Sequence, residues 1–385
     1  MIGRAVLLAL LLSTPPLASA IDSARAGQRP PSGSDEDELW YAMERAEQEL
    51  QQSPRRIRDV ALNAYVGGVA CKVVDDFCSD VRVYLIDQPG FNASMSPNGM
   101  LVVWSGALLR LRDEAELALL IGHEFAHFRE RHSLKQWRKA KRTTAFMATF
   151  GVASYGGGVG AAGALAGMAG SASLLRHSRS AEREADRIGF AAAVAEGYDS
   201  GAGIRLWQRL LAEEETVRRG KPAPVFASHP DTAARLADVQ RAAHLHGGMG
   251  KRGVHAYREA TAAFLPDWLE GELSRRRFDA SIEAIGRLRD DYGDAQRGLL
   301  THFLAEAHRR RARDGDLALA AALYAEATTL ADAPAAAFRE QALIQRAAGE
   351  RDAAITNFRR YLQLEPAADD AAFIAAYLQE LASPP

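Results

Sequence analysis

The chain has 385 residues, 48% of them hydrophobic, and a formal net charge of −2. That is enough apolar material for a sizeable core and, by length, for two domains. The near-neutral balance, with no basic aromatic-rich patch, argues against nucleic acid as a partner.

Residues 1–20 have the three parts of an export signal: Arg4 as the positive start, Ala5–Leu12 as an apolar run, and Ala18-Ser19-Ala20 as a cleavage site. The run is too short to span a bilayer comfortably, and no cysteine follows it to carry a lipid. Export to the periplasm is expected, with secretion as the alternative. Residues 21–37, polar and containing Pro30-Pro31, predict a disordered leader. Helical patterns follow at 35–53 and 55–69, divided at Pro54. Cys71 and Cys78 are the only cysteines. A bridge between them closes a loop of about eight residues and contributes roughly 2.5 kcal/mol on loop entropy. Two free thiols or a redox pair are the alternatives. The gap does not match Cys-x-x-Cys, and an oxidising destination favours a structural disulfide.

Val81–Ile86 alternates and is β-branched, which predicts a strand. Met100–Trp104 predicts another, entered through a turn at Pro97-Asn98-Gly99. An edge of such a small sheet can accept an extended peptide by backbone pairing, or simply pack the next helix.

That next helix contains His123-Glu124-Phe-Ala-His127. Four-residue spacing stacks two imidazoles on one helical face, and Glu124 falls beside the first, within reach of a water at a shared metal. Two buried histidines with no metal would be the bland reading. A catalytic zinc needs a third protein ligand. The long His-Glu-x-x-His-x-x-Gly-x-x-His pattern fails, because Glu130 stands at the Gly position and Ser133 at the last His. His132, about 140° further round a continuous helix than His127, points away. The better candidate is Ser180-Ala-Glu182-Arg-Glu-Ala-Asp186, where Glu182 and Asp186 share a face. Glu182 then ligates the metal and Asp186 accepts the ring N–H of a ligating histidine. Glu184 is rotated away and reads as an exposed residue. A solvated charged face is the competing reading, since Arg183 and Arg187 lie here too.

Between these helices, Thr143–Leu175 runs thirty-three residues without a charge, eight of them Gly. Gly156-Gly-Gly158 divides it into arms of about 20 and 25 Å, short of the ~30 Å hydrocarbon core. A mobile apolar hairpin beside the cleft is expected, with peripheral membrane contact through 143–175 as the minority reading. Residues 199–243 are helical and contain Ser228-His229-Pro230. Gly247-Gly248-Met-Gly250 marks a linker, 247–254. Beyond it, Gly315, Ala320, Tyr324 and Ala327 recur thirty-four residues later as Gly349, Ala354, Phe358 and Tyr361. That is the tetratricopeptide period, and Arg277–Leu288 looks like a third, degenerate unit. Stacked helix pairs of this kind present a concave surface to protein segments.

His123-Glu-Phe-Ala-His127 followed by Glu182-x-x-Ala-Asp186 resembles the gluzincin metallopeptidases of the HtpX, BepA and CAAX-prenyl-protease group. Asn92-Ala93-Ser94 is similar to that family's substrate-binding edge strand, Trp104–Leu108 to the link into its active-site helix, and Ser228-His229-Pro230 with Arg235 to its downstream His-Pro element. The resemblance spans roughly residues 40 to 245. It implies that His229 lies at the cleft, as an extra metal ligand at rest or a substrate contact, and that Arg235 steadies the oxyanion. The BepA branch also joins a protease to tetratricopeptide repeats.

The expected protein is therefore a mostly helical α+β zincin-like (minigluzincin) peptidase domain with a small sheet, 38–246, followed by an all-α tetratricopeptide-like repeat domain, 255–385. Its expected activity is zinc-dependent endopeptidase cleavage of protein or peptide substrates, with one Zn2+ per chain held by His123, His127 and Glu182, and Glu124 as base. Envelope proteins are the partners expected at the repeats. The rival class is a repeat-based chaperone or scaffold with a silent metal site.

Overall fold

The computed structural model describes residues 23–141, 177–218, 232–246 and 250–382. The signal segment 1–20, the apolar segment 143–175 and His229 lie outside the described residues.

Helix α1, Asp35–Gln52, starts at Ser34, whose hydroxyl accepts the Asp37 N–H, and carries four acidic residues in its first turn. Both features favour a helix N-terminus. Residues 23–34 were expected to be disordered but run along the body of the protein. The Ala24 N–H donates to the Arg129 carbonyl at 2.6 Å, and the Gly27 N–H to Asp80 at 2.7 Å. Their backbone polar groups thus find partners where composition alone offered none.

After Pro54 the chain does not resume a helix at once. Helix α2, Val60–Val74, begins at the Asp59 cap and ends in a 3-10 turn over Asp75–Asp80. Cys71 and Cys78 form a disulfide that fastens this helix end to the turn.

Three strands follow: β1 Arg82–Ile86, β2 Ala93–Met95 and β3 Met100–Trp104. Their order is β1-β3-β2. β1 runs parallel to β3, with Arg82 opposite Met100, and β2 runs antiparallel to it, with Ser94 opposite Val102. The turn at 97–99 therefore joins β2 to β3, not β1 to β3. Gly99 takes φ +87° and sits against the Asp80 carbonyl, where a Cβ would come within 2.1 Å. β2 is left at the sheet edge.

Helix α3, Ser105–Arg110, leads to α4, Glu114–Arg129, which is almost wholly buried. α5 covers His132–Lys141, α6 Arg179–Ala195, α7 Ala202–Arg218 and α8 Thr232–His246. α4 and α6 cross at glycines. A Cβ on Gly189 would lie 2.4 Å from the His123 nitrogen, and one on Gly122 would lie 2.8 Å from the Gly189 carbonyl. Backbone meets backbone there, which no larger residue permits.

The remaining helices are α9 Val254–Thr261, α10 Leu265–Ser274, α11 Phe278–Tyr292, α12 Arg297–Arg311, α13 Asp316–Thr328, α14 Ala335–Ala347, α15 Arg351–Leu364 and α16 Ala371–Ala382. Lys251 and Arg252, in the stretch read as a linker, are pinned to the body. Lys251 exchanges backbone hydrogen bonds with Gly197 and Asp199, and the Ala115 N–H donates to the Arg252 carbonyl. Nor does the core divide there. Trp268, Leu269, Leu288 and Leu300 belong to the same buried cluster as Leu62, Leu101 and Ile121. The expected boundary near 255 is thus a continuous interface as far as α12. Beyond α12 the thirty-four-residue period is visible as structure. Gly315 and Gly349 both take positive φ before a helix, and Ala320, Tyr324, Ala327, Ala354, Phe358 and Tyr361 are all buried.

Gly189→Ala is expected to push α6 off α4, destabilising the protein by about 1–3 kcal/mol and weakening any metal held between the helices. Thermal denaturation with a metal-binding assay checks this; unchanged values in both would show that the crossing has slack.

Candidate metal centre

The Asp113 carboxylate caps α4 by accepting the Glu116 N–H at 2.9 Å, and the helix then runs without Pro to Arg129. His123 and His127 lie one turn apart on it, their rings edge to face with centroids 4.7 Å apart. Their Nε2 atoms are 3.1 Å from one another. Glu182 comes from α6, with Oε2 3.5 Å from His123 Nε2 and Oε1 3.6 Å from His127 Nε2. All three side chains are buried.

This triangle fits a metal ion. Tetrahedral zinc with bonds of 2.0–2.2 Å places its ligand atoms roughly 3.3 Å apart, and two imidazoles with one carboxylate are a donor set that suits it. The hydrogen bonding around the triangle agrees. Asp186, one turn after Glu182, has Oδ1 3.0 Å from His123 Nδ1. The ring N–H at Nδ1 donates to that carboxylate, which leaves the Nε2 lone pair facing the triangle. Two lone pairs at 3.1 Å repel each other unless a cation or proton lies between them.

Glu124 is buried beside His123 and lines a mostly apolar pocket. Asp186 and Arg235 complete its polar wall, while Phe91, Phe190, Trp207 and Val239 make the other side apolar. Asn92 and Ala93 border it. The Asn92 carbonyl accepts from the Trp104 N–H, and Ala93 and Ser94 pair with β3, so Asn92 and Ala93 form the rim on the sheet-edge side with Ser94 next along β2.

Residues 56–243 match the family model for Peptidase family M48. The chain carries an M48 peptidase domain. It is 28% identical over 249 residues to the putative beta-barrel assembly-enhancing protease of Vibrio cholerae, covering 59% of this chain and 50% of that protein. Over 284 residues it is 24% identical to the beta-barrel assembly-enhancing protease of Escherichia coli, covering 67% of this chain and 57% of that one. The mitochondrial metalloendopeptidase OMA1 of Schizosaccharomyces pombe is 29% identical over 167 residues, with coverages of 42% and 47%. The chain thus spans about half the length of the curated relatives it matches. The M48 region contains His123, Glu124, His127, Glu182, Asp186 and Arg235, and it ends within α8.

Two placements inside the M48 region add to expectation. Arg235, expected to steady an oxyanion, is buried and lines the pocket beside His123 and Asp186. Its Nε and Nη2 donate to Asp186 at 2.8 and 2.7 Å, and its Nη1 lies 3.2 Å from Glu182. Every arm of the guanidinium thus faces a carboxylate of the site. Burial alone would raise the Asp186 carboxyl, but Arg235 and the His123 N–H hold it well below the usual range. Trp207 stacks on Arg235 with its ring centroid 4.1 Å away, so the cation keeps a favourable apolar neighbour.

His132 is the second. The expectation that it points away assumed an unbroken helix, but α4 ends at Arg129 and Arg131 takes φ +52° before α5 begins. That turn folds His132 back. It is buried, with Nδ1 2.9 Å from His127 Nδ1 and Nε2 3.1 Å from Glu184. Glu184, read as a solvent residue, therefore has a buried partner. Burial pushes the His132 imidazole below its ordinary pKa, which favours the neutral ring. His177 also stacks on His127 at 3.9 Å between ring centroids. In the sequence the only signal for this cluster is the polar run 129–132, which interrupts the apolar periodicity.

Replacing Arg235 by Met is expected to leave two buried carboxylates without their cation, at a cost of about 3–5 kcal/mol in the metal-free protein. Added zinc should restore more stability to this variant than to the parent, because the ion replaces part of the lost charge. Thermal denaturation with and without zinc measures both effects.

Proposed function

We propose that this protein is an exported zinc metalloendopeptidase acting on protein substrates in the cell envelope. One observation carries the reading: two imidazole nitrogens and a carboxylate converge within 3.1–3.6 Å, beside a buried glutamate and a pocket bordered by a sheet edge. The names of the bacterial relatives, beta-barrel assembly-enhancing proteases, support the envelope setting. Among the described residues no helix is long and apolar enough to cross a membrane. The signal segment 1–20 supports export to the periplasm.

In this reading His123, His127 and Glu182 hold the zinc, which when bound supplies Lewis acidity to a water and a substrate carbonyl. Glu124 takes a proton from the attacking water and passes it to the leaving amine. Asp186 accepts the Nδ1–H of His123 so that Nε2 faces the metal position, and Arg235 holds Asp186 in place. An extended substrate pairs with the outer edge of β2 at Asn92, Ala93 and Ser94, and an apolar side chain enters the pocket between Phe91 and Trp207. By family resemblance His229 is read as an extra metal ligand at rest or a substrate contact, and the uncharged composition of 143–175 suits peripheral membrane contact. The repeats after Gly315 are read as tetratricopeptide units that hold envelope proteins for cleavage.

The deciding experiment is Glu124→Gln, expected to keep about one zinc per chain while proteolysis of an unfolded substrate such as casein falls by at least ~10²-fold. Cleavage at the parent rate would remove the mechanism. Zinc absent from the parent protein would remove the metal site itself.

A further inference from the structure

The two histidines of α4 are anchored differently. His123 leans directly on the Asp186 carboxylate, 3.0 Å away. The Nδ1 of His127 instead lies 2.9 Å from the Nδ1 of His132, with the two rings crossed at 71°. His132 Nε2 in turn lies 3.1 Å from Glu184 Oε2. The protonation pattern along this row follows once the metal-facing atom is fixed. His127 presents Nε2 to Glu182 and His123. Its proton therefore sits on Nδ1 and must donate. His132 must then accept at Nδ1, so its own proton is on Nε2 and donates to the carboxylate of Glu184.

We propose that His132 is a positioning residue of the metal site, setting the tautomer and ring rotation of His127, with Glu184 orienting His132 from the far side. The proposal rests on the metal reading above and adds to it a second anchoring line that Asp186 does not supply. The chain is built for this line at two places. The left-handed Arg131 turns the backbone so that α5 begins with His132 facing α4, and Arg131 is itself held by Glu36 at 2.9 Å. On α6, Glu182 is buried in the triangle while Glu184, two residues on, reaches round to His132 with its carboxylate partly in solvent. A purely structural His132 would need only to fill space between α4 and α6. The difference is testable, because an imidazole that only fills space can be replaced by any ring of similar size.

The test measures Zn2+ affinity of the full chain by competition with a chelator, alongside the thermal midpoint of the metal-free protein and the absorption spectrum of the Co2+-loaded form. His132→Phe keeps the volume and loses the acceptor. It is expected to bind Zn2+ about 10–100-fold more weakly and to shift the Co2+ bands, while its metal-free midpoint stays near the parent's. His132→Asn places an oxygen near the former Nδ1 and should recover most of that affinity. Glu184→Gln should weaken binding several-fold, whereas Glu130→Gln, which removes a nearby carboxylate bonded to Arg129 and Ser23, should not. Parent-like affinity in His132→Phe overturns the proposal, as does equal weakness in the Phe and Asn variants. If His132→Phe does not fold, the Glu184→Gln and Glu130→Gln pair decides, and equal affinities overturn it. Failure of the parent to bind Zn2+, or parent-like binding by His127→Ala, would instead refute the underlying metal reading.

Discussion

The approach of α4 to α6 at Gly122 and Gly189 is the constraint on which the rest depends. Each glycine would collide with the opposing backbone if it carried a Cβ. Glycine inside a helix costs about 0.8–1 kcal/mol relative to alanine, so the sequence gives up helix stability twice to gain this contact. What it gains is geometric. Glu182 and Asp186 lie two turns and one turn before Gly189 on α6, and the crossing carries them to His123 and His127. Small residues continue the seam: Ala126 and Ala185 are fully buried together with Ile188. With larger side chains there, the carboxylates would sit too far from the imidazoles to share an ion.

The same helix is held at its other end by charge. Asp113, Glu114 and Glu116 are buried in the first turn of α4 or just before it. Arg252 reaches Asp113 and Lys251 reaches Glu114, while Arg209 from α7 pairs with Glu116. Arg110, just upstream, lies between Glu213 of α7 and Glu272 of α10, at 2.8 and 3.0 Å. Buried ion pairs of this sort add little net stability, because desolvation opposes the attraction, but losing one partner is costly. Their effect is to lock orientation. The C-terminal helices through α12 share one buried core with α4.

Asymmetry between the two imidazoles follows from this arrangement. One side of the centre is closed by Asp186, Arg235 and Trp207, which line the apolar pocket. The other side faces His132, His177 and the half-exposed Glu184, under the segment 23–34. Burial strengthens the charge interactions of the Asp186–Arg235 wall. On the other wall His132 is buried while Glu184 is partly exposed.

Periodicity and spacing were enough for the local part of this protein. Four residues between His123 and His127, and four between Glu182 and Asp186, put each pair on one helical face whatever surrounds them. Alternation in 81–86 and the apolar run 100–104 pointed to strands, and the thirty-four-residue recurrence pointed to Tyr324 and Phe358, both buried. These are properties of a single element, and a single element's pattern encodes them. Sequence could not supply what depends on a break or a crossing. The parallel pairing of β1 with β3 requires β2 to fold back on the far edge. The course of residues 23–34 depends on Arg129 and Asp80 being close by. His132 turned inward because Arg131 adopts a left-handed conformation, which a helical wheel does not contain. Arg235 and Glu184 acquired partners from helices roughly fifty residues away in the chain. The residue types of the site were legible because chemistry restricts which side chains can hold a metal. Their partners were not, because only the packing of α4, α5, α6 and α8 in three dimensions decides which charged groups meet.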